Sequence, residues 1–142
     1  MVISAYLAIK YHADHRNRSL IETISQALSA SGCECYCVAR DLEQWGETHF
    51  TAHELMRRSF AAIDKSDFVL VELSEKGVGL DIEAGYAYAR KIPVLTMARE
   101  GHDIPTTLQG ISAQTFTYND TTPSSQITKM LDRAKDYIVA QG

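Results

Sequence analysis

Apolar runs and helical periodicities alternate along the whole chain, and no Pro-, Gly- or Ser-rich linker, low-complexity tract or internal repeat interrupts them. That alternation commits the chain to an α/β fold with a mainly parallel sheet, because parallel strands need a crossover, usually helical, between them. Val2 to Ile9 reads as a first strand, followed by a helix with Leu20, Ile21, Ile24, Ala27 and Leu28 at helical spacing and a capping-box pattern at Ser19 and Glu22. Cys33 to Val38 is the second strand, and Arg40 to Phe50 is a polar loop holding the only tryptophan, Trp45. A second capping box, Thr51 with Glu54, opens a helix carrying Leu55, Met56, Phe60 and Ile63. Asp67 to Leu73 is short, β-branched and apolar, as expected of a central strand buried on both faces. Beyond a glycine loop, Leu80 to Arg90 reads as helix, Ile92 to Met97 as a fourth strand and Gln114 to Tyr118 as a fifth. Thr122 and Pro123 start a last helix, with proline at its first position and one apolar stripe of Ile127, Met130, Leu131, Ala134 and Ile138. The expectation is one three-layer domain over residues 1–142, a five-stranded, flavodoxin- or Rossmann-like sheet with helices on both faces.

Composition removes several function classes. A chain of 142 residues with 45% apolar and 23% charged residues supports a core that needs neither disulfides nor a metal. Lys+Arg 14 against Asp+Glu 18 gives a formal charge of -4, with no basic run, so the footprint of a polymeric nucleic-acid binder is missing. No stretch approaches the roughly 18 consecutive apolar residues of a membrane span, and there is no signal-peptide pattern, so a cytoplasmic protein without membrane association is expected. Cys33, Cys35 and Cys37 alternate along a strand and share one face, where small thiols pack as core. A zinc site would need a fourth ligand that this spacing does not supply. His49 and His53 lie four apart but have no evident third ligand, so neither metal nor cofactor is expected.

Ligands of open α/β sheets bind beyond the carboxyl ends of the strands, which singles out three loops: Lys10 to Arg18, Val38 to Phe50 and Ser74 to Gly79. The third is the most informative. It leads into Leu-Asp-Ile-Glu83-Ala-Gly85, with Gly77 and Gly79 permitting a tight turn and Glu83 in or near the first helical turn. Unpaired backbone N–H groups and the helix dipole there favour the carboxylate, so Glu83 is expected to stay anionic at neutral pH. A fixed carboxylate at such a turn suits a nucleophile toward a sugar carbon, although acids are favoured in first turns for structural reasons alone. The first loop gathers Lys10, His12, His15, Arg16 and Arg18 near a helix N-terminus, where they either hold a phosphate or are solvated. Trp45 either stacks on a bound ring or packs beneath its own loop.

Asp67 to Ala89, with V-G-L-D-I-E-A-G-Y-A at its centre, resembles the signature of the nucleoside 2-deoxyribosyltransferase family, and Glu83 stands at the position of the nucleophilic glutamate. Tyr6 to Ile24, through Arg18, Leu20 and Glu22, is similar to the N-terminal strand, loop and helix of the related 2'-deoxynucleoside 5'-phosphate N-hydrolases. Gln109 to Ala113, then Tyr118 to Asp120, also has the family's look. The resemblance implies a nucleoside or nucleotide substrate, attack of Glu83 on C1' of the sugar, and transfer of the sugar from the glycosyl-enzyme to a base or to water. It also implies that Tyr6 hydrogen-bonds and orients Glu83, and that the chain forms a homodimer or higher homo-oligomer, with Tyr86 and Tyr88 as a candidate contact. Lys10, Arg18, Ser59, Gly77, Gly79 and Asp81 are the implied substrate-binding positions. Three of these depart from the family pattern: Ser59 replaces an aspartate, Asp81 a turn glycine, and Gly77 a residue that is often Ser or Asp. These departures leave open how the leaving base is protonated and whether the sugar is ribose or 2'-deoxyribose. A non-catalytic nucleotide-binding or sensing domain, an NAD-type glycohydrolase and a structural adaptor are the competing readings.

Overall fold

The computed structural model describes residues 2–12 and 14–141. Five strands form one all-parallel sheet: β1 (Ile3–Ala8), β2 (Cys33–Tyr36), β3 (Phe68–Leu73), β4 (Val94–Arg99) and β5 (Ser112–Tyr118), in the spatial order β2-β1-β3-β4-β5. Helices α1 (Arg18–Ala30) and α5 (Ser124–Gln141) cover one face, and α2 (Ala52–Asp64), α3 (Val78–Ala89) and the short α4 (Thr106–Ile111) cover the other. Strand residues divide between the two cores with period two. Ala5, Leu7, Phe68, Leu70, Leu95 and Met97 pack toward α1 and α5, while Tyr6, Ala8, Val69, Val71, Val94 and Ala98 pack toward the other three helices. Every residue of β3 is buried, as its apolar sequence requires of the central strand. Cys33 and Cys37 lie in the α1/α5 core and Cys35 is half-buried, all as free thiols. Among the described residues no helix is long and apolar enough to cross a membrane.

Several boundaries differ from the sequence reading, each for a local reason. Helix α1 starts one residue before Ser19, and its N-cap is Asn17, whose side chain bonds Lys10 O instead of the helix; Glu22 pairs with Arg18. Thr51 does cap α2, accepting from the Glu54 amide at 3.2 Å, but the Glu54 carboxylate turns to Arg57 and Arg58 rather than closing the box. Strand β4 begins at Val94, not Ile92, because the Ile92 amide closes the end of α3 on Ala87 O and Pro93 has no N–H to give a ladder. Pro123 lies just before α5, where its carbonyl accepts the first helical bond from Ile127. The supposed open loop after β2 contains a π turn at Val38–Leu42 and a 3-10 turn at Gln44–Gly46.

Candidate active site

Strand order reverses direction between β1 and β3, since β2 lies on one side of β1 while β3 to β5 extend on the other. A crevice opens where loops diverge at such a switch point. Here it is a cavity of about 400 Å³. Tyr6, Ile9 and Tyr11 from β1 and its exit form its floor, with Gly79 and Glu83 of α3 on one side, Leu55, Met56 and Ser59 of α2 on another, and Cys37 to Ala39, Glu43, Gly46 and His49 after β2 on a third.

Glu83 is brought there because α3 starts at Val78, two residues earlier than its apolar pattern suggests, with extended Gly77 as N-cap. The carboxylate therefore rises from the second turn rather than the first. Its surroundings also reverse the expected ionisation. Burial raises its pKa to about 7, opposed only in part by hydrogen bonding from Tyr6. A helix N-terminus offers a carboxylate about 0.3–1 kcal/mol, largely within the first turn. A shift from 4.5 to about 7 corresponds to roughly 3 kcal/mol in the other direction, so desolvation wins. Glu83 is thus divided between acid and carboxylate near neutrality rather than locked as an anion.

Tyr6 is 1% exposed, and burial together with Glu83 lifts its pKa far above the ordinary tyrosine range. It keeps its proton and serves as donor to the carboxylate. Ser59, also buried, donates to Leu55 O at 2.8 Å and interacts with the Tyr6 hydroxyl. Gly79 stands one turn before Glu83, and a Cβ there would lie 3.8 Å from Glu83 Oε1, so the missing side chain keeps one approach to the carboxylate open. The turn leading to α3 is tied to the sheet by buried Glu72, which accepts from Ser74 Oγ at 2.5 Å and from the Tyr118 hydroxyl at 2.6 Å.

The structure brings Glu83, Tyr6, Ser59 and Gly79 together around the cavity and leaves Lys10, Arg18, Gly77 and Asp81 outside its wall. Asp81 is exposed in the first turn of α3. The Lys10 stem runs along the Gly77 turn, its Cδ 3.7 Å from where a Cβ would stand. Arg18 pairs with Glu22 at 3.2 Å and covers the Trp45 ring at 4.4 Å. His12 pairs with Glu75 and receives Arg16 at 2.8 Å, so much of the first loop's charge is internally matched. Trp45 packs on Tyr11, ring centroids 5.5 Å apart, rather than lining the cavity. His49 faces the cavity but His53 is exposed on α2, and among the described residues no cluster of His, Cys, Asp or Glu is arranged to hold a metal ion. Sequence reasoning placed the 38–50 loop at the site but did not single out Glu43. The signal available was its position after β2, beside the switch point, next to a glycine.

The profile described as nucleoside 2-deoxyribosyltransferase matches residues 5–132. Among solved structures, the chain is similar to a CMP N-glycosidase of Clostridium botulinum, BcmB, with 17% identity and TM-score 0.65, covering 92% of this chain and 98% of that one. It is similar to a 2-deoxyribosyltransferase of Bacillus psychrosaccharolyticus at 16% identity and TM-score 0.69, covering 88% and 90%. The solution structure of BlsM aligns at 20% identity and TM-score 0.70 over 97% and 92% of the two chains. A search of curated proteins finds no match.

Proposed function

The chain belongs to the nucleoside 2-deoxyribosyltransferase family, a family of enzymes, and from that premise we propose that it cleaves the N-glycosidic bond of a (deoxy)nucleoside or nucleoside 5'-monophosphate. One observation carries the reading: a buried carboxyl, Glu83, coupled to a protonated tyrosine, opens onto a cavity at the switch point of the sheet. As carboxylate, Glu83 attacks C1' of the sugar while the C1'–N bond breaks, giving a glycosyl ester and the free base. A second base or a water then attacks C1' from the opposite face and releases Glu83, so the two displacements retain anomeric configuration. Tyr6 holds the carboxylate oxygen in line for attack, and its release of part of that hydrogen bond accompanies ester formation. The acceptor decides between transferase and hydrolase, and this depends on how well the occupied cavity excludes water.

Incubation of the protein with deoxynucleosides, ribonucleosides, their 5'-monophosphates and NAD, with and without a free base, tests the reading by chromatography. Free base produced by the wild type and not by Glu83→Ala is the expected result; an exchanged nucleoside marks transfer and free sugar marks hydrolysis. Ligand-induced thermal stabilisation without any turnover would instead make this a nucleotide-binding domain.

A further inference from the structure

Breaking an N-glycosidic bond leaves a base that must gain a proton, and α2 offers the cavity Ser59 and no acid. The polar groups around the cavity narrow the donor. Glu83 is the nucleophile, and Tyr6 has its proton committed to it, with Ser59 bonded to Leu55 O. Cys37 is buried, with its thiol pushed up to about 12, so it gives up a proton poorly. The Tyr11 hydroxyl is engaged by His15. There remain Glu43 and His49, which stand on the wall formed by the loop after β2, across the carboxyl end of β1 from α3.

Both backbone polar groups of Glu43 are hydrogen-bonded within the loop. Its amide donates to Val38 O at 2.9 Å, and its carbonyl accepts from the amides of Gly46 and Thr48, both at 3.0 Å. The next three residues are left-handed, with φ of 49° at Gln44, 59° at Trp45 and 95° at Gly46. Each non-glycine residue in that region costs on the order of 1–3 kcal/mol, and such strain persists only where packing enforces it. Here Trp45 is clamped between Tyr11 and Arg18. A loop held this way sets a half-buried carboxyl against the cavity. Burial raises its pKa, and the neighbouring His49 opposes the rise.

We propose that Glu43 is the general acid that protonates the departing base, with His49 beside it to stabilise the carboxylate left behind. As Glu83 bonds to C1' and the C1'–N pair withdraws onto the base, the Glu43 proton passes to the base. In the second step the acceptor, a base N–H or water, loses its proton to Glu43 as it bonds to C1', and Glu83 leaves as carboxylate. The cycle closes with both glutamates restored. Two carboxyl groups flanking a scissile glycosidic bond, one nucleophile and one acid, recur in retaining glycoside hydrolysis.

This inference rests on the glycosyl-transfer reading, and a leaving-group comparison separates the two. Wild type, Glu43→Gln and Glu83→Gln are assayed on guanine or uracil substrates carrying the accepted sugar, and on their counterparts with 7-methylguanine, which departs without protonation, or 5-fluorouracil, which needs it less. Glu43→Gln is expected to lose about 100-fold or more on the ordinary base. On the 7-methylguanine substrate it should stay within about fivefold of wild type, with a smaller rescue for 5-fluorouracil. Glu83→Gln should fail on all of them. Equal losses by Glu43→Gln on both members of a pair, or no loss, overturn the acid while leaving the nucleophile standing. If Glu43→Gln does not fold, Glu43→Asp gives the same contrast in weaker form. Absence of wild-type turnover on every substrate overturns the underlying reading and the acid with it.

Discussion

Burial lifts the Glu83 carboxyl from 4.5 to about 7, and this has a cost in stability as well as a use in chemistry. Between those pH values the folded chain holds a proton that the unfolded chain has released, so stability falls as pH rises through the interval. The loss reaches about 3 kcal/mol well above pH 7. Glu83→Gln, which carries no charge to desolvate, should match wild type in urea unfolding at pH 4 and exceed it at pH 8. Equal midpoints at both pH values would contradict the burial account. Turnover should rise with pH through about 7 as Glu83 ionises and fall where Glu43 loses the proton it is proposed to deliver, a bell-shaped profile. Lys10 and Arg18 differ in their commitments. Arg18 is already paired and stacked, whereas the Lys10 stem runs beside the turn before α3. Lys10→Ala is therefore expected to weaken a nucleoside 5'-monophosphate by about tenfold more than the nucleoside, while Arg18→Ala affects both alike. Calorimetric titration of each pair of ligands reads the difference directly.

At the scale of elements, the strands and long helices were legible because their periods differ. The buried run Phe68 to Leu73 cannot be mistaken for an amphipathic helix, and the Ile127, Leu131, Ala134 and Ile138 stripe cannot be a strand. Ends were less legible where distant contacts decide them. Asn17 caps α1 through a loop that folds back to Lys10, which no local S-x-x-E pattern reveals. Helix α4 spans only Thr106–Ile111, too short for a periodicity to show. The Thr51 cap, by contrast, is a local bond and was read correctly. Thr51→Ala should cost about 1 kcal/mol. In a chain of this size that lowers Tm by roughly 2–4 °C. Melting followed by circular dichroism checks it, and kcat should be unaltered since Thr51 does not line the cavity.

For the whole molecule, the position of the site followed from topology, and its electrostatics did not. The loop after β2 and the turn before Glu83 stand beyond strand ends, where ligands of such sheets bind, but the raised pKa of Glu83 comes from burial by neighbours that adjoin it only in three dimensions. The surface poses its own question. Helix α3 leaves Val78 74%, Ile82 47% and Tyr88 57% exposed, with Gly85 and Ala89 also on its outer side. Tyr86, by contrast, stacks on Phe60 at 4.1 Å and bonds Asp64, so it serves the α2–α3 contact within the chain. An apolar strip of this kind fits association between copies of the chain. Sedimentation should then give a mass above that of the monomer, reduced by Ile82→Glu; a monomer at all concentrations would refute it.

The register of β1 against β3 has a further consequence in time. Tyr6 lies opposite Val69, and the Ser4 amide reaches Asp67 at 2.8 Å, so the two halves of the site come from segments some 60 residues apart along the chain. Closing so long a loop precedes any reward from the contacts it brings, which makes this pairing a slow event in assembly. Glu83 therefore acquires its tyrosine only when the middle of the sheet zips shut. Enzymatic activity regained on dilution from denaturant should lag behind the helical signal and keep pace with the burial of β3.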